Sequence, residues 1–179
     1  MRRFYLYFLL LVFSTSLASY TFGQQQVEAA ALKSAWLEHF TKFIEWPNIT
    51  DSTSHFLITV LGQDNFDGYL DRIYAQRKIK NRPVLIKYIN APEEINDCHI
   101  LFISSNMKKH LSSIINLVNA KPILTVSDES GFAEQGVMIN FYKENNRLSF
   151  EINISNAQSS ELDMSFRLLE LAKIVRKNE

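Results

Sequence analysis

The chain is poor in the residues that mark special classes of protein. Its 179 residues include one cysteine, Cys98, so neither an internal disulfide nor a multi-cysteine metal site can form. Five glycines and four prolines are too few for a collagen-like or linker-like chain. Neither sign of charge is in excess, with 19 Lys and Arg against 19 Asp and Glu. No basic block is present to neutralise phosphates, which removes nucleic acid as a default partner. Phosphate loops, paired-glycine dinucleotide fingerprints and nucleophile elbows are missing too. What is there is an ordinary globular composition, 46% hydrophobic and 21% charged, at a length that favours one domain. A chain of about 150 residues buries roughly 68–70% of the surface its unfolded form exposes, enough for a useful core.

Apolar residues run unbroken from Phe4 to Phe13, behind Arg2 and Arg3 and ahead of Ser14-Thr15-Ser16-Leu17-Ala18. Ten helical residues span about 15 Å, half of a ~30 Å hydrocarbon core. The pattern predicts a secretory signal peptide over residues 1–23, cleaved after Gly23, and a mature domain over 24–179 outside the cytoplasm. A retained N-terminal anchor is the other reading of the same segment.

Beyond it, apolar residues from Val27 to Trp46 recur at helical spacing. Ala29, Leu32, Trp36, Phe40 and Phe43 or Ile44 mark one face, with Lys33, Glu38, Lys42 and Glu45 elsewhere, and Pro47 stops the helix. Asn48 to Ser54 reads as a polar loop. Four apolar runs then read as strands: His55–Leu61, Pro83–Ile89, His99–Ile103 and Pro122–Val126. Helical patterns lie between them, at Asn65–Ala75 and on the face Leu111, Ile114, Ile115 and Val118, with a basic turn from Arg77 to Arg82. Such alternation predicts a parallel sheet. Val137–Tyr142 and Leu148–Ile154, joined by a short polar turn, predict an antiparallel hairpin. Met164, Leu168, Leu171, Ala172 and Val175 predict a closing helix. The expected fold is α/β: a single three-layer domain with a mainly parallel sheet, a C-terminal antiparallel hairpin and flanking helices.

Residues with chemistry are scattered. His39 and His110 fall on predicted helices, and His55 and His99 begin strands. A zinc enzyme would need several of them to converge, and no established ligand spacing is present. Cys98 precedes a buried-looking strand and reads as an inert small hydrophobe, or as a thiol that pairs with another chain in an oxidising compartment. Trp46, fixed by Pro47, reads as core or as a rigid anchor for a partner. Glu151 and Asn153 alternate with Phe150 and Ile152, so they share the polar face of one strand; Arg147 begins that face and Asn140 lies on the preceding strand. Such a face is a ligand pocket or a satisfied network.

Several blocks resemble the YfiR family, also called the DUF4154 family. His39-Phe40-Thr41-Lys42-Phe43-Ile44-Glu45-Trp46-Pro47 is similar to its "NFAKFTEWP" helix, and Cys98 to Ser104 to its "CHILFIS" strand. Pro122 to Asp128 with Gly131-Phe132-Ala133 resembles "PVLTVSD…GFA". Met138 to Phe141, Arg147 to Asn153 and Arg167 to Ala172 resemble its closing segments. In order, these blocks cover about Val27 to Lys177.

The resemblance implies a periplasmic α/β protein without a cofactor, often a homodimer, that regulates a membrane sensor. The sensor is a diguanylate cyclase or a histidine kinase, bound through its periplasmic domain and, in the diguanylate cyclase case, repressed. Small molecules are implied as modulators. Two departures stand out: redox-responsive members use paired cysteines where this chain has only Cys98, and His39 stands where the family has Asn. On this reading the chain is a non-catalytic regulator. Trp46 and Phe132 are the expected partner contacts, and Arg147, Glu151, Asn153 and Arg167 the expected ligand contacts. The alternative is a periplasmic small-molecule carrier.

Overall fold

The structure, a computed structural model, describes residues 28–47, 54–63 and 66–176. The expected signal peptide lies outside the described residues, as does nearly all of the expected loop after Pro47.

Helix α1 covers residues 28–41 and is followed by a turn and then β1 (Ile44–Glu45), earlier than the stop expected at Pro47. Its inner face is turned by one residue from the expected stripe. Ala30, Lys33, Ser34, Leu37, Phe40, Thr41 and Ile44 are buried, whereas Leu32 is exposed and Ala29, Trp36 and Phe43 are half-buried. Polar members hide this face in the sequence. The Ser34 hydroxyl donates to the Ala30 carbonyl (2.8 Å) and the Thr41 hydroxyl to the Glu38 carbonyl (2.7 Å). Hydroxyls bonded back to their own helix are buried at little cost.

Eight strands form one sheet: β2 (Phe56–Leu61), β3 (Lys78–Ile79), β4 (Arg82–Ile89), β5 (Ile100–Ile103), β6 (Leu124–Ser127), β7 (Ile139–Glu144), β8 (Arg147–Asn153) and β10 (Lys173–Val175). Their order is β10-β8-β7-β6-β5-β2-β4-β3. From β4 through β2, β5 and β6 to β7 every neighbouring pair is parallel; β7 and β8 form the antiparallel hairpin. A separate two-residue ladder joins β1 to β9 (Asp163–Met164). The remaining helices are α2 (Tyr69–Tyr74), α3 (Leu111–Val118), α4 (Ile154–Ser159) and α5 (Phe166–Glu170). This is the expected α/β architecture.

Alternation along the central strands divides the core into two. On one side Phe56, Ile58, Val60, Ile100, Phe102, Leu124 and Val126 pack with Leu37 and Phe40 of α1 and Leu70 and Tyr74 of α2. On the other side Leu61, Leu101 and Ile103 pack with Leu111, Ile114, Ile115 and Val118 of α3, the face expected for that helix. Strands apolar on both faces need cover on both, which makes three layers. Gly62 ends β2 with a φ of +97°, where an added Cβ would run into the Asn106 side chain.

Two sequence expectations are corrected. The closing helix is only α5; the chain then extends into β10, which pairs parallel with β8 in the register Lys173↔Glu151, Ile174↔Ile152, Val175↔Asn153. Ile174 and Val175 are β-branched and favour the pleated edge over a second helical turn. The basic turn from Arg77 to Arg82 is a hairpin of β3 and β4, reversing at Lys80 (φ 49°) and Asn81 (φ 64°).

Candidate functional site

The hairpin end of the sheet has one apolar and one polar face. Ile139, Phe141, Phe150 and Ile152 point into the α1 core, where the Phe40 ring meets Phe150 at 5.1 Å and Phe141 at 5.6 Å. By the period-2 alternation of strands, Asn140, Glu151 and Asn153 fall on the opposite face. All three are buried.

Each has identifiable partners. Asn153 is spent on structure: its amide donates to the Ala133 carbonyl (2.7 Å), and its side-chain oxygen accepts from the Asn156 N–H (3.1 Å) at the start of α4. That bond is an N-cap and satisfies a helix-end donor. Glu151 accepts from Asn140 Nδ2 on Oε1 (3.2 Å) and from Lys173 Nζ on Oε2 (3.1 Å). Lys173 also lies 5.6 Å from the centre of the Tyr142 ring. The hydrogen bond and charge of Glu151 raise the pKa of the Lys173 amine against desolvation, and the charges of Glu134 and Tyr142 add smaller upward effects. Glu134 Oε2 and Asn140 Oδ1 are buried without a hydrogen-bond partner among the described residues.

The structure therefore brings together two of the four expected ligand residues, Glu151 and Asn153, with Asn140. Arg147 is exposed at the far end of β8, about 13 Å along the strand from Glu151. Arg167 is exposed on α5. Neither arginine bonds to the buried group. Lys173 was missed because it fell within the supposed closing helix; the β-branched pair behind it was the available signal. Nothing in the sequence linked Glu134 to this face; it lies in the turn before β7 and acts on Lys173 through its charge.

Trp46 and Phe132 lie in the interior. Phe132 is fully buried beneath α3, and Trp46 is 6% exposed, with its ring edge-on to Phe56 at 5.4 Å. Side chains so placed offer a partner almost no surface, which corrects the expectation that they act as anchors. Exposed apolar side chains on α5 and the segment that runs into β10 include Phe166 (72%), Leu171 (60%) and Ile174 (47%).

Lys33 is buried as well, although expected on the polar side of α1. Its Nζ pairs with Asp128 at 2.7 Å and lies 5.3 Å and 5.9 Å from the Phe66 and Phe102 ring centres. This pair ties α1 to the end of β6. His99 stacks on Phe56 (4.5 Å), and its Nδ1 accepts the Leu57 N–H at 2.9 Å. Burial, reinforced by the charge of Arg82, holds its pKa below the ordinary imidazole value. Cys98 is buried, and its thiol pKa is pushed up to about 11, chiefly by burial. Among the described residues, no group of three or more His, Cys, Asp or Glu is placed to hold a metal ion.

The geometry defines an α/β protein with a buried polar cluster at the hairpin end of its sheet. Over residues 30–173 the chain matches the YfiR/HmsC-like family, and it belongs to that family. No curated protein matches the chain.

Proposed function

We propose that the chain is a periplasmic, non-catalytic regulator that binds the extracytoplasmic domain of a membrane sensor and sets its output. On this reading residues 1–23 are an export signal and 24–179 the working domain. The sensor is a diguanylate cyclase, as in the best-known relatives, and the sign of regulation is repression. Membership of the YfiR/HmsC-like family is the observation that carries this reading.

The physical requirement is differential affinity. A regulator shifts a two-state sensor only by binding one state better than the other, and moving it from 1:99 to 99:1 takes about 5.5 kcal/mol of preference. Buried apolar contacts supply such energy, and Phe166, Leu171 and Ile174 are exposed apolar side chains on α5 and the segment that runs into β10. They replace Trp46 and Phe132 as the contact residues.

The test uses the mature chain and the extracytoplasmic domain of a sensor encoded beside it. Direct binding, together with a rise in cyclic di-GMP when the chain is deleted in its host, is the expected result. Neither binding nor any change in cyclic di-GMP would remove the regulatory reading.

A further inference from the structure

The polar cluster on β7, β8 and β10 is short of donors and of positive charge. Glu151 brings a carboxylate bonded to Lys173, and Glu134 adds a second negative charge that acts on Lys173 without a bond to it. Asn140 is fully buried and gives its amide N–H to Glu151, which leaves Oδ1 an acceptor with nothing to accept. Turning the amide over would set an oxygen against the Glu151 carboxylate, so a flip does not cure it. Glu134 Oε2 is a second buried acceptor in the same condition. Buried oxygens of this kind cost free energy until a donor or a cation meets them.

We propose that Asn140 and Glu151, with the Tyr142 ring that faces Lys173, form a binding site for the ammonium group of a small organic amine. Lys173 holds that place in the free protein. Its own contacts show what the site accepts: a primary ammonium, hydrogen-bonded to Glu151 Oε2 and 5.6 Å from the centre of an aromatic ring. Register with Glu151 tethers Lys173 to the edge strand, and its side chain is half-exposed. It therefore swings into water at small cost. A free ammonium carries three donors and no tether, so it can take the Glu151 contact and turn a further N–H toward Asn140 Oδ1, the unpartnered oxygen of the amide bonded to Glu151. Displacing Lys173 removes a side-chain tie between β10 and β8, which makes β10 the element that responds to the ligand.

The test is titration of the folded chain with n-butylammonium chloride, followed by amide NMR, with sodium chloride at equal ionic strength as the control. Saturable shifts at residues 151 and 173–175, with faster hydrogen exchange at β10, are expected. Glu151→Gln keeps an acceptor for Asn140 and is expected to abolish the response. Lys173→Met removes the competitor and is expected to tighten binding by about tenfold. Tetramethylammonium, which has no N–H, is expected to give no saturable response. Shifts no larger than those with sodium chloride, or unchanged in Glu151→Gln, would overturn the proposal. So would equal binding of tetramethylammonium, which would leave only charge and the ring, or preferential binding of magnesium, which would make the site a metal site. If Lys173→Met does not fold, the wild type and Glu151→Gln decide the matter. The proposal rests on the cluster alone, so its failure leaves sensor binding untouched, and failure of sensor binding leaves it standing.

Discussion

Trp46 donates its indole N–H to the main-chain carbonyl of His99, 3.1 Å away and 53 residues further along the chain. The same carbonyl accepts the Leu124 N–H, while the His99 N–H donates to the Leu57 carbonyl and its ring accepts the Leu57 N–H. One histidine thus pins the segment after α1, β2 and the start of β6 to the head of β5. Three of the blocks that resemble the YfiR family, those holding Trp46, His99 and Leu124, meet here.

Trp46→Ala removes a buried ring and its hydrogen bond, and is expected to cost about 3–5 kcal/mol in urea unfolding. Phe132→Ala falls in the same range. Phe166→Ser, at an exposed position, should move stability by no more than about 0.5 kcal/mol while weakening sensor binding. Equal losses of stability at all three sites would show that Phe166 is not a surface contact.

Burial keeps His99 neutral in the folded chain, whereas the unfolded chain takes up a proton near pH 6.5. The unfolded state therefore binds more protons below that pH, and stability falls as pH drops. Full stability is expected above about pH 6.5, with a decline as pH falls through the lowered pKa of the folded state. Unfolding curves for His99→Asn should lose this part of the pH dependence; an unchanged profile would place the titrating group elsewhere.

The Cys98 thiol, pushed up to about 11 and buried, should react slowly with an aromatic disulfide reagent in the native protein and rapidly in denaturant. Mobility on gels should be the same with and without reductant. A dimer band that disappears on reduction would restore the intermolecular disulfide.

Gly62 and Gly68 both have positive φ, +97° and +70°, but only Gly62 is crowded: its added Cβ meets Asn106, Met107 and Ser104, while at Gly68 it meets nothing within 4 Å. Both alanine variants carry backbone strain of order 1 kcal/mol, and Gly62→Ala adds a clash. A clearly larger loss of melting temperature at Gly62 than at Gly68 is expected.

The central strands were legible because each is a short apolar run bounded by polar residues, and the face of α3 because its four core positions are all apolar. The face of α1 was not. Lys33 read as lying off the core face, and Ser34 and Thr41 carried no apolar signal to place them on it; their burial depends on Asp128 and on carbonyls that only the fold supplies. The β3–β4 reversal was hidden because Lys80 and Asn81, rather than glycine, adopt the left-handed conformation. Of the site, strand alternation placed Glu151 and Asn153 on one face. The contributions of Lys173 and Glu134 come from segments 22 and 17 residues away from Glu151, and no local pattern encodes them.

Helix α1, the earliest described element, finds its aromatic neighbours in Phe141 and Phe150, close to the other end of the chain. A chain made from its N-terminus therefore presents this half-apolar helix long before the hairpin that shelters it has emerged. Non-local closure of this kind is slow. Until it is complete, Leu37, Phe40 and Ile44 stand unprotected, and aggregation in that interval competes with folding.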